Sequence, residues 1–146
     1  GTTWRFEPML PAALPQASSV SVGRGRTPLL WVGSRLHGIL VRRIGAENWG
    51  EAGFRAHEIW RVLSDPRGVD AAYALVGSGA GQRELVRTAD AGVTWRKVSL
   101  NGIEIAGFAV HPVRGDLVAW SDRSLYVSSD AGQTWTPIRL PAVVSG

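Results

Sequence analysis

Two acidic residues sit in almost the same setting, Asp90 in Thr88-Ala89-Asp90-Ala91-Gly92-Val93-Thr94-Trp95 and Asp130 in Ser128-Ser129-Asp130-Ala131-Gly132-Gln133-Thr134-Trp135. Paired carboxylates are the machinery of glycoside hydrolysis, so this pair is the first to weigh. A second acidic pair, Glu58 and Glu104, stands just before two apolar runs at matching points. Arg35, Arg83 and Arg123 each fall in a turn between two such runs, and guanidinium forks suit a carboxylate, a sulfate or an acidic protein surface. His37, His57 and His111 lack the short spacings of metal ligands, and there is no cysteine, so neither a metal site nor a disulfide is expected. The run Gly77-Ser78-Gly79-Ala80-Gly81 precedes no helix and reads as a flexible hairpin, not a phosphate cradle. No cofactor is expected.

What must position these groups is a repeat. The motif ending at Trp95 recurs forty residues later at Trp135; a degenerate copy ends at Trp49, with Ile44 and Ala46 in the Asp and Gly places, and Gly1-Thr2-Thr3-Trp4 matches its second half. Between the tryptophans, short β-rich runs alternate with Gly, Pro, Asp and Ser, which is the pattern of consecutive antiparallel hairpins. The runs fall at 19–22, 29–32, 39–42 and 49–54, at 59–63, 72–76, 85–88 and 95–100, and at 105–110, 117–120, 125–128 and 135–140, with a lone strand at 4–9. Four-stranded units at this period predict an all-β chain of β-propeller blades. The expected organisation is an outer strand of a preceding blade (1–10), a blade with the degenerate motif (18–54) and two blades with the full motif (58–100 and 103–141). Three blades and a strand do not close a ring. A segment of a larger propeller is the favoured reading, and a ring closed by two copies is the other; in either case the exposed faces would leave Trp31, Trp60 and Trp120 uncovered.

The repeated motif has a structural explanation. The Asp90 or Asp130 carboxylate can accept backbone N–H bonds from its turn, Gly92 or Gly132 can take positive φ, Thr94 or Thr134 suits the outgoing strand, and Trp95 or Trp135 can fill the space between sheets. These residues resemble the Asp-box (BNR-repeat) proteins, which include sialidases, xyloglucan-active hydrolases, sortilin-type receptors and photosystem assembly factors. The resemblance implies a propeller, usually extracytoplasmic, in which the Asp box is structural and lies away from the ligand face. It does not imply catalysis. The Arg-Ile-Pro element of sialidases is missing, Tyr73 and Tyr126 fall inside predicted strands, and no catalytic constellation is apparent.

Composition excludes several other classes. With 45% apolar and 19% charged residues the chain is too hydrophobic to be disordered. No apolar window is long enough for a membrane span, and the N-terminal residues do not form a signal peptide. The net charge of +4 is spread thinly, without the basic face interleaved with aromatics that nucleic-acid binding needs. The functional expectation is therefore a non-catalytic scaffold presenting a loop face to a protein or glycan, with blades of a sialidase-like or other glycoside hydrolase as the alternative. That face is the end carrying the hairpins with Arg35, His37, Arg83 and Arg123 and the inter-blade loops with Arg55, His57, Glu58 and Glu104, and the arginines point to an anionic ligand. Solution mass separates the two closures: a value near 15.7 kDa means an open segment, and twice that, retained on dilution, a two-copy ring.

Overall fold

In a computed structural model that describes residues 17–34, 37–77, 81–98, 100 and 103–139, the β-rich runs form twelve strands and, among those residues, no helix. The first sheet is β1 (Ala17–Val22), β2 (Leu29–Ser34), β3 (Gly38–Arg43) and β4 (Gly50–Glu51). The second is β5 (Ile59–Ser64), β6 (Ala72–Gly77), β7 (Arg83–Thr88) and β8 (Arg96–Lys97). The third is β9 (Gly107–Val110), β10 (Leu117–Trp120), β11 (Leu125–Ser128) and β12 (Thr136–Ile138). Each is an antiparallel meander in sequence order. The expected strand at 4–9 lies outside the described residues, as does Arg35.

The outer strands are shorter than the sequence pattern predicts. Backbone bonding nonetheless continues just past their ends, through Ala52 N–H to Ile39 O (2.7 Å) and Val98 N–H to Leu85 O (2.8 Å).

A meander of this kind places the turns between first and second and between third and fourth strands of every blade at one end, and the hairpins between second and third strands and the blade-to-blade links at the other. The middle blade is covered on both faces. Ala72, Ala74 and Val76 of β6 face the first blade, in a core with Trp31, Ile39, Ile59 and Val62. Tyr73 and Leu75 of the same strand face the third, with Leu85, Ile105, Phe108 and Leu117. Burial on both faces explains why β6 is an unbroken apolar run. The small Ala72 and Ala74 leave room for the indole of Trp31, which is fully buried, so of the three tryptophans expected to be uncovered Trp31 is not.

Arginines bind the blades together at the edges. Arg43 donates to Asp70 Oδ1 (3.1 Å), Arg67 Nε to Arg114 O (2.9 Å) and Arg96 to Ala131 O (2.8 Å), each bond crossing to the next blade. At the opposite end Arg83 Nη1 reaches Ala106 O (3.1 Å). Along the innermost strands the first two blades are also joined by serines: Ser19 Oγ accepts from Val62 N–H (3.1 Å) and Ser21 Oγ from Ser64 N–H (2.9 Å). These hydroxyls satisfy backbone groups of the otherwise unpaired edge of β5.

The tight approach of turn to neighbouring blade makes one pair of substitutions diagnostic. Ala131 holds φ 60°, whereas Gly132 holds φ +82° with a built Cβ only 1.7 Å from Val98 Cγ1. Gly132→Ala is expected to cost at least about 2 kcal/mol, while Ala131→Gly, which relieves left-handed strain at some cost in chain entropy, changes stability by no more than about 1 kcal/mol. Urea denaturation of the two variants checks both.

Candidate functional site

The two complete motifs make the same turn bonds and differ at the tryptophan, where Trp95 Nε1–H finds an acceptor and the buried Trp135 Nε1 has none among the described residues. Thr88 Oγ1 donates to Asp90 Oδ1 (2.7 Å) and accepts Gly92 N–H (2.9 Å); Asp90 Oδ1 also accepts Thr94 N–H (2.9 Å), and Oδ2 accepts the Thr94 hydroxyl (2.6 Å). Ser128, Asp130, Gly132 and Thr134 repeat every bond. Each carboxylate therefore accepts three hydrogen bonds inside its own turn, and the two turns, β7–β8 and β11–β12, lie at the same end. They are not an acid–base pair around a common substrate. The hydroxyl of Thr94 is the main cause that holds the Asp90 carboxyl down to about 2, and that of Thr134 lowers Asp130 further. Trp95, carried out of the first turn, donates Nε1–H to Ala52 O (2.6 Å) in the preceding blade and meets Trp31 and Phe54 edge-on at 6.1 and 5.5 Å. In the degenerate copy Arg42 Nε bonds Ala46 O instead, and Gly45 supplies the positive φ.

The turns expected at Asp65-Pro66 and His111-Pro112 are also built alike. Asp65 Oδ1 accepts Arg67 N–H (3.0 Å), and His111 Nδ1 accepts Arg114 N–H (2.9 Å), which fixes the His111 proton on Nε2. Asp65 is buried and paired with Arg87 (3.0 Å), beneath Tyr73. Burial, then the Asp65 charge, pushes the Tyr73 phenol up against the opposing influence of Arg87. With Tyr73 fully buried, it is not placed to act as a sialidase-type nucleophile.

The opposite end holds two neighbouring clefts. One, of about 500 Å³, is lined by Arg83, Glu104, Ser121, Asp122 and Arg123 together with Ile103 and Ala106. The other, about 330 Å³, is lined by His57, Glu58, Trp60, Gly77 and Gln82 and their neighbours. The strand registers make them repeats of one another. Arg83 and Arg123 each stand two residues before the leucine, Leu85 or Leu125, that pairs with Leu75 or Trp120. In the first blade that place, two before Ile39, belongs to His37 and not to Arg35. Glu58 and Glu104 likewise each precede a buried isoleucine, Ile59 and Ile105.

The sequence-derived candidates thus separate. Arg83, Glu104 and Arg123 converge on one cleft, and His57 lines the other, with its Nδ1–H donating to Gly77 O (2.9 Å) and Nε2 left to accept. Arg55 is brought to neither and pairs with Glu51 at 3.7 Å. His37 lines neither, and Arg35 lies outside the described residues.

Two residues escaped the sequence reading as site residues. Asp122 brings the larger cleft to two cations and two acids, so its lining is charge-balanced and not simply cationic. Trp60 occupies a bulge, between the pairs Ile59 with Val76 and Arg61 with Leu75, which turns its ring outward to 44% exposure. The Arg83 guanidinium stacks on that ring at 3.9 Å. The signal was available: the corresponding places in the other blades hold Ser18 and Ala106, so the indole departs from the repeat.

The charges of the larger cleft differ from those of four arginines at the turn end. At the turn end, Arg43, Arg67, Arg87 and Arg114 are all paired with aspartates. None of Arg83, Glu104, Asp122 and Arg123 forms an ion pair with a described residue.

No protein-family model matches the sequence, and no curated protein matches it. Solved structures do resemble the fold. A GH74 enzyme of Niastella koreensis is 16% identical with a TM-score of 0.58, over 75% of this chain and 19% of that one. YCF48 bound to D1 peptide is 14% identical with a TM-score of 0.57, over 85% and 41%. A chain of a nidogen–laminin complex is 12% identical with a TM-score of 0.56, over 81% and 46%. The fold is therefore that of a partial β-propeller, all-β with four-stranded antiparallel blades. The chain spans less than half the length of each of these structures.

The hydrogen-bonded Asp90 turn sets a pH dependence. A carboxyl held at about 2 when folded, against 3.8 as its ordinary value, contributes stability that is fully present above about pH 4 and is lost as pH falls through 2. Thr94→Val removes the hydroxyl bond, the largest of the causes, keeps the backbone N–H bond of residue 94, and raises the folded pKa. Acid unfolding followed by tryptophan fluorescence is expected to begin at higher pH in the variant, and the stability difference from the parent to vanish below about pH 2.

Proposed function

We propose that this chain is the Asp-box segment of a larger propeller, placed outside the cytoplasm, and that it is a non-catalytic scaffold which binds a protein segment at its hairpin end. The observation that carries this reading is the set of unpaired charges lining the 500 Å³ cleft, at the end away from the Asp-box turns. Charges without an ion-pair partner at a surface depression are available to a ligand, whereas those of Arg43 and Arg67 at the other end are spent on joining one blade to the next. Two structural neighbours support the class, one being YCF48 bound to D1 peptide and the other a chain of a nidogen–laminin complex. The described carboxylates offer no catalytic pair: Asp90 and Asp130 are occupied in their turns, and Glu58 and Glu104 belong to successive clefts.

A second reading, blades of a glycoside hydrolase with its acids elsewhere, is favoured by the exposed Trp60 beside Glu58, since an aromatic face next to a carboxylate also suits a sugar. Parallel peptide and glycan arrays decide between them. Peptide binding is expected, with at least about a ten-fold loss in the Arg83→Ala, Arg123→Ala double variant and none in Arg114→Ala at the opposite end. Retention on glycans alone would establish the second reading.

A further inference from the structure

We infer that the ligand segment is an extended peptide of mixed charge, whose carboxylate is held by Arg83 and Arg123 and whose neighbouring cation is held by Glu104 and Asp122. The inference rests on the peptide-binding reading above and specifies its chemistry.

Arg83 is held in place before any ligand arrives. Its guanidinium lies 3.9 Å from the Trp60 ring centroid, Nη1 donates to Ala106 O at 3.1 Å, and Nε is buried without a partner among the described residues. A fork fixed by stacking loses little freedom on binding a carboxylate, and it presents its remaining donors to the cleft it shares with Arg123. The bulge at Trp60 is what makes this possible, because a regular strand would have sent the ring to the other face.

Charge complementarity chooses the occupant. A ligand covering this cleft removes water from two guanidinium groups and two carboxylates, and each must then be met by an opposite charge. A neutral glycan compensates none of them with full charge. A polyanion such as a nucleic acid satisfies the arginines and is repelled by Glu104 and Asp122. A peptide with an acidic and a basic side chain close together answers all four, and the exposed indole of Trp60 provides apolar cover at the rim next to the smaller cleft.

Calorimetric titration with four short, end-capped Gly/Ser peptides tests this: one carrying a Glu and an Arg, one with two Glu, one with two Arg, and one uncharged. The mixed peptide is expected to bind at least about ten-fold tighter than the other three and to weaken as salt is raised. Arg83→Ala and Glu104→Gln should each remove most of that preference, with Arg83→Lys unable to restore it because an ammonium lacks the planar fork. Unchanged urea midpoints verify that the variants are folded. If the peptides bind alike, or the variants keep the preference, the mixed-charge assignment fails while peptide binding stands. If no peptide binds and a xyloglucan oligosaccharide does, or if nothing binds at all, both fail.

Discussion

The structure depends on one hydrogen-bonded turn that aims an indole at the neighbouring sheet. In the Asp90 turn the carboxylate ties Thr88 and Thr94 together, and the chain leaves with Trp95 pointing into the gap between blades, where its N–H finds Ala52 O. A four-stranded sheet with apolar residues on both faces cannot persist alone in water. It needs a neighbour at a fixed distance and angle, and between the first two blades Trp95 supplies both a large apolar contact and a directional bond. Trp31 and Phe54 then pack around that ring, so the turn, the wedge and the core between the first two blades form a single unit.

This requirement divides the molecule into two ends with different work. At the turn end, arginines are consumed in crossing from blade to blade, which gives the strong bias of the chain toward arginine over lysine a partly structural cause: a planar fork reaches carbonyl and carboxylate at once. At the hairpin end the demands of blade packing are already met, and the side chains are released from it. Arg83, Glu104, Asp122 and Arg123 line the larger cleft there without an ion pair to a described residue. Arg83 belongs to both regimes, since it joins Ala106 in the next blade and also stacks under an exposed indole.

Repetition itself helps to separate support from function. Positions that build the turns recur with the same bonds, as in Asp90 and Asp130, or with a substitute of like geometry, as in Asp65 and His111. Positions free of that duty diverge. Trp60 stands where the other blades have Ser18 and Ala106, and Asp122 corresponds in register to Gly77. These departures coincide with the clefts.

Much of the fold was legible in the sequence, because the properties that specify it are local. The Asp-x-Gly-x-Thr-Trp spacing determines a turn through bonds between residues no more than four apart, and the β-rich runs between turns set the strand order of a meander. The equivalence of Glu58 and Glu104 was visible for the same reason. The site was only partly legible. Sequence alignment by turn placed Arg35 beside Arg83 and Arg123, but the pairing register puts His37 in that series, and register depends on hairpin length. Whether an arginine pairs with an acid, strengthens a blade edge or lines a cleft was decided only by tertiary structure, since partners such as those of Arg43 and Arg67 come from the next blade, some fifty residues away for Arg67 and Asp116. The outward turn of Trp60 was decided there too, because a one-residue bulge reverses which face a side chain takes, and nothing in the composition of β5 records it.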